Sequence, residues 1–166
     1  KAGFLTRTAL RDAKVMNEML ERRPDYRSES TTRRIHTAGE RVVEHLLFAD
    51  EVKLTDPIVG RSGFAEQFAD RGPRDQQGRS LRVLDLNQRL FRYPCSYVIY
   101  SNQFDSLPDV VREYIYRRLW EVLTGKDTTA EFAHLSAGDR GQILEILRNT
   151  KPGLPEYWNT QVNLGK

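Results

Sequence analysis

The sequence holds one cysteine, Cys95, in 166 residues. An intramolecular disulfide is thereby excluded, and so is a zinc site built on several thiolates. Long apolar runs are missing too: the longest, Leu46–Ala49 and Tyr97–Tyr100, are four residues, against the roughly 18 that span a bilayer. No membrane span is expected, and the chain reads as soluble. Also absent are a Gly-x-Gly-x-x-Gly fingerprint, a phosphate-cradling Gly-rich loop with its lysine, and a His-Glu-x-x-His pair. Asp70, Asp75 and Asp85 are too scattered to propose a carboxylate pair. An enzyme with its whole site in these residues is therefore not expected.

What is present suits a globular chain. Hydrophobic residues make up 39% and there are 11 glycines, which excludes disorder, collagen and low complexity. The length suits one domain that buries roughly two thirds of the surface its unfolded form exposes. Net charge is a mild +3, from 26 basic and 23 acidic side chains, and no third of the chain is strongly polarised. The excess is local. Between Arg71 and Arg92 there are six arginines against Asp75 and Asp85. Arginine outnumbers lysine twenty to six, which reflects either a GC-rich coding sequence, the plainer account, or a use for planar forks that bind carboxylate and phosphate two bonds at a time. The sequence opens on Lys1 with no charged-then-apolar leader, so a processed product, an excised domain or part of something longer is expected.

Apolar periodicity predicts a mostly helical single domain of five to seven helices over 1–166: a helical hairpin over 1–50, an irregular stretch over 51–80, and a helical remainder over 81–158. Ala9, Ala13, Met16 and Leu20 mark a first helix from about Thr8 to Glu21, with Pro24 as its stop. Thr31 and Thr32 are candidate N-caps for a second, running through Ile35, Ala38, Val43 and Leu46 to about Ala49. Gly39 inside that pattern either admits another helix or marks a boundary drawn too wide. In the irregular stretch, Phe64 to Ala69 suits one short helix, and Asp75–Gly78 a turn. Asp85 is a candidate cap for a helix through Leu90 to Pro94. Cys95–Ser101 suits a strand or a short buried helix. Ser106–Asp109 and Ser136–Asp139 read as capping boxes before the last two helices, with Glu113 and Arg117 as an ion pair.

Few residues suggest chemistry. Cys95 lies near arginines that lower a thiol pKa, yet His36, His45 and His134 are remote in sequence, so core packing is the expectation. His36 and His45 lie nine residues apart, on opposite faces of one helix, which excludes a shared metal there. His134 reads as a packing residue. The arginine stretch is the exception: as one helix over 79–92, it would set Arg79, Arg82, Arg89 and Arg92 on a single basic face, for an acidic partner, phosphate or haem propionates. Nucleic acid is set aside, because Tyr93, Tyr97 and Tyr100 read as core and the net charge is small.

The segment Leu135-Ser-Ala-Gly-Asp-Arg-Gly-Gln-Ile-Leu-Glu-Ile-Leu-Arg148 resembles the last helix of bacterial class I c-type cytochrome domains, where Ser-x-x-Asp-Arg precedes an apolar helix. Cys95 is followed by Ser96 and no Cys-x-x-Cys-His occurs, so haem would not be attached to this chain in that way. The stretch from Ser62 to Trp158 is also similar to the C-terminal part of longer uncharacterised bacterial proteins, a likeness that implies no activity.

The leading expectation is a non-catalytic interaction module docking on a larger assembly. Arg79, Arg82, Arg89 and Arg92 would pair with an acidic protein partner, and Tyr157 and Trp158 would supply an aromatic anchor. The alternative is the distal part or partner of a c-type cytochrome in electron transfer. No cofactor is expected within the chain itself, haem entering only through a partner. A periplasmic address follows only if the cytochrome likeness extends to function.

Overall fold

The computed structural model describes residues 1–60 and 62–160. Six α-helices lie among them, in chain order α1 (Ala2–Met19), α2 (Glu29–Leu46), α3 (Phe64–Asp70), α4 (Asn102–Asp105), α5 (Asp109–Leu123) and α6 (Ala137–Thr150). Short 3-10 turns occupy Tyr97–Tyr100, Ala130–Phe132 and Glu156–Asn159. A lone antiparallel bridge, Leu84 to Phe91, is the nearest approach to a sheet among the described residues. The protein is mostly helical, as its periodicity predicts. No helix among the described residues is long and apolar enough to cross a membrane.

α1 and α2 form the expected hairpin with shifted ends. α1 begins six residues before Thr8 and ends before Pro24 acts: the Leu20 amide closes on the Met16 carbonyl at 3.0 Å, and Glu21 turns left-handed at φ +50°. Asn17 then pins the link by donating to the Tyr26 carbonyl at 2.8 Å. The cap of α2 is Ser28 rather than Thr31 or Thr32. Its Oγ accepts the Thr31 amide at 3.2 Å, satisfying a donor the helix start leaves open.

The core forms where α2 meets α5. Ile35, Ala38, Val43 and Leu46 from one, and Val111, Ile115, Leu119 and Val122 from the other, are all buried. Each large aliphatic side chain so buried contributes about 2 kcal/mol. Gly39 lies at the crossing and does admit the other helix: a Cβ there would sit 2.5 Å from Tyr114 Cδ1. α6 adds Ile143, Leu144, Ile146 and Leu147.

Two predicted caps divide. At α6 the Ser136 Oγ accepts the Asp139 amide at 3.0 Å and the Asp139 carboxylate accepts the Ser136 amide at 3.2 Å, a complete capping box. At α5 no box forms. Pro108 occupies the N-cap position and Ser106 instead closes α4, while Asp109 pairs with Arg112 at 2.5 Å. The expected Glu113–Arg117 pair is also absent; Arg117 lies 5.8 Å from the Tyr114 ring centroid.

Residues 79–92 are not a helix. The Asp85 amide bonds the Leu90 carbonyl and the Leu86 amide the Arg89 carbonyl, both at 3.0 Å, and the Arg92 amide reaches Val83 at 2.9 Å. These are the rungs of a short hairpin, with Leu86 left-handed at φ +63°. The preceding segment fastens to its tip through Ile58 to Leu86 at 2.8 Å and Leu54 to Gln88 at 3.0 Å. These pairings supply the hydrogen bonds that a helix would otherwise have made.

Candidate partner-binding site

Because the hairpin replaces the helix, the single basic face expected of Arg79, Arg82, Arg89 and Arg92 does not exist. Each side chain goes to a different place. Arg79 donates through Nε to Asp75 at 2.7 Å and through Nη2 to Glu145 at 2.8 Å. Asp75 is buried and also accepts the amides of Gln77 and Arg79, so this pair fastens the Asp75–Gly78 turn to α6. Arg89 reaches Asp139, the capping residue of α6, at 2.6 Å. Two of the four guanidiniums thus meet internal carboxylates. Arg92 is exposed, 5.9 Å from the Tyr93 ring centroid.

Arg82 is held differently. Its guanidinium carbon lies 4.1 Å from the Tyr97 ring centroid and 4.8 Å from that of Phe68, in the range where a ring face attracts a cation. The two rings meet edge to face at 5.3 Å. Gly72 makes room for the arginine stem, since a Cβ there would lie 2.8 Å from Arg82 Cδ and from Ser80 Oγ. No carboxylate among the described residues pairs with Arg82. Phe64 stacks on Phe68 at 5.6 Å and stays 60% exposed, and behind them Phe91 stacks on Phe48 at 5.4 Å. The result is a fixed cation set in an aromatic surface.

Tyr157 and Trp158 fold back on a 3-10 turn and separate. Trp158 is fully buried and meets Tyr116 edge to face at 6.4 Å. Arg148 holds this turn through the carbonyls of Trp158 and Thr160. The expectation of an exposed Trp158 anchor is therefore corrected: the indole belongs to the chain's own core, which claims the largest apolar side chain nearby. Tyr157 remains partly exposed, edge-on to Trp120 at 5.6 Å.

A polar cleft of about 310 Å³ lies between the hairpin and α6, lined in part by Glu51, Lys53, Asp85, Arg89, His134 and Asp139. His134 Nε2 is 2.8 Å from the Leu47 carbonyl. A carbonyl only accepts, so Nε2 donates in this bond. No hydroxyl or thiol lines this cleft. Cys95 is fully buried, and burial pushes its thiol up to about 12, which makes it inert as a nucleophile. No group of three or more metal-ligating side chains occurs among the described residues.

Arg118, which the sequence left unremarked, and Arg140, the arginine of the Ser-x-x-Asp-Arg entry, do more structural work than the predicted set. Arg118 donates to Glu40 at 3.0 Å through both Nε and Nη2, to Glu121 at 2.6 Å and to Asp127 at 2.5 Å. The Glu40 bonds, ahead of opposing burial, push its pKa above the ordinary arginine value. Buried Arg140 caps the carbonyls of Leu135, Val122, Asp127 and Phe132. Glu40 and Arg118 are 78 positions apart, so no local spacing signals their pairing.

Compared with protein-family models, with curated proteins and with solved structures, the chain finds no match.

Proposed function

We propose that this chain is a non-catalytic interaction module that docks on a larger assembly, reading an acidic protein surface through Arg82 and the aromatic side chains around it. The observation that carries this reading is a guanidinium held against the edge-to-face rings of Phe68 and Tyr97, with no carboxylate among the described residues to pair with it. Its rotamer is already restricted, so bonding a partner's carboxylate costs less ordering than a free surface arginine would incur. Exposed Phe64 beside it supplies apolar area of the kind that dominates interface energetics. The outer face of α1, where Phe4 and Met19 are 69% and 74% exposed, adds apolar surface suited to an assembly.

The test begins with crosslinking in the natural source to identify the partner, followed by binding measurements with both purified proteins. Arg82→Ala is expected to weaken binding by about 2 kcal/mol, roughly 30-fold. Arg82→Glu is expected to slow association and reverse its salt dependence. Arg92→Ala, whose guanidinium lies by the Tyr93 ring instead, serves as the control. Binding that is indifferent to both Arg82 substitutions overturns the reading, and a Soret band in the native material redirects it to a haem-bearing partner.

A further inference from the structure

A second cleft, sharing no residue with the Arg82 patch, gathers side chains from four separated parts of the chain. Its volume is about 490 Å³. Arg27 from the α1–α2 link, His36 from α2, Tyr114 and Arg117 from α5, and Tyr157 from the C-terminal turn converge on it. His36 stacks on Tyr114 with ring centroids 4.4 Å apart, and the Tyr114 hydroxyl donates to Glu40 at 2.9 Å, which fixes that wall. Val110 and Pro155 complete an apolar lining.

The charges here are unanswered. Neither Arg27 nor Arg117 forms an ion pair or hydrogen bond among the described residues, and His36 forms no hydrogen bond there. One carboxylate, Glu113, lines the same cleft without pairing to Arg117. At His36, beyond the effect of burial, Arg117 lowers the imidazole pKa, against the raising influence of Glu40.

We propose that this cleft binds a small planar anion, an aromatic ring bearing a phosphate or carboxylate, with the anionic group between Arg27 and Arg117 and the ring against Tyr114 and Tyr157. Guanidinium forks match either oxyanion two bonds at a time. Flanking aromatic side chains hold a flat ring by offset or edge contact. Glu113, a like charge to the ligand, weakens the site and sets an upper bound on its affinity.

Phenyl phosphate is the probe, titrated calorimetrically into the full chain, with inorganic phosphate and phenol as comparison arms and benzoate as the carboxylate arm. Phenyl phosphate is expected to saturate the site below about 10 mM, with the two fragments at least about tenfold weaker. Arg117→Ala and Arg27→Ala are each expected to weaken it about tenfold. Glu113→Gln is expected to tighten it about threefold, a gain that a merely structural role for this cleft does not produce. Circular dichroism of each variant establishes that it folds, and Arg117→Lys, which keeps charge and loses the fork, serves where the alanine variant does not. Saturable phenyl phosphate binding that Arg117→Lys weakens and Glu113→Gln strengthens supports the site. No heat at about 10 mM, binding unmoved by Arg117→Lys and Glu113→Gln, or phenol binding as tightly as phenyl phosphate overturns it.

Discussion

The Tyr114 ring rests directly on the backbone of Gly39, with space for no Cβ between them: the nearest ring carbon would lie 2.5 Å from it. Helix propensity alone favours alanine at position 39 by about 1 kcal/mol. The ring is unable to yield, because its hydroxyl is tied to Glu40 and its face to His36. Gly39→Ala is therefore expected to destabilise the fold by about 1–3 kcal/mol net, from overpacking. Urea unfolding measures this, and a double-mutant cycle with Tyr114→Ala should return most of the loss.

Trp158 provides a contrast between core and interface. A fully buried indole truncated to alanine costs about 3–5 kcal/mol of stability, so Trp158→Ala is expected to lower the urea midpoint sharply before any partner is added. Its Nε1 has no hydrogen-bond partner among the described residues. Trp158→Phe removes that unsatisfied donor while keeping a ring, so its cost should be well under half that of alanine. Equal midpoints for the wild type and Trp158→Ala would falsify the buried placement.

Acid should erode the protein's stability in two stages. In Asp75, Asp127 and Asp139 burial pushes the carboxyl up, but Arg79, then the Thr129 amide with Arg118, and then Arg89 with Ser136 outweigh it and hold each below the ordinary aspartate value. A depressed carboxylate contributes stability that is complete above the unfolded pKa and lost as pH falls through the folded one. Stability should thus drop steeply below about pH 4. His36, lowered by burial and then by Arg117, binds protons more readily when unfolded, so a shallower loss begins below about pH 6.5. Urea midpoints across pH measure both stages; Asp139→Asn should flatten the first and His36→Gln the second.

Cys95 reports on opening. With its thiol buried and pushed up to about 12, it should resist iodoacetamide at pH 8 in the folded protein. Labelling should then follow the unfolding curve in urea, read by intact mass. Rapid alkylation without denaturant would contradict the buried placement of Cys95 in the core.

Repeating apolar residues made the helical character legible, and Ser136 with Asp139 made one helix start legible, because a capping box is a contact over three positions. The same logic misled at Ser106, where Pro108 takes the N-cap and leaves the serine to close α4. Residues 79–92 misled for another reason: their apolar spacing suits a helix, but backbone pairing between Val83 and Arg92, and between Leu86 and Arg89, joins the two arms of a hairpin instead. Of the six residues expected to meet a partner, Arg82 and Arg92 keep guanidiniums without a carboxylate. Tyr157 keeps a partly open ring, and Trp158 is withdrawn into the core.

What the sequence determined by itself were the properties set within a few residues or by composition: helix faces, one complete capping box, the Asp75–Gly78 turn, and the exclusion of disulfides and thiolate zinc sites. Tertiary structure alone decided which arginine met which group. Each guanidinium has many acidic candidates at similar cost in the unfolded chain, and only packing chooses among them: Asp75 and Glu145 for Arg79, Asp139 for Arg89, Glu40 for Arg118, two rings for Arg82. Such pairings span up to 78 positions, and contacts that distant leave no periodic trace, because their geometry exists only once helices have packed.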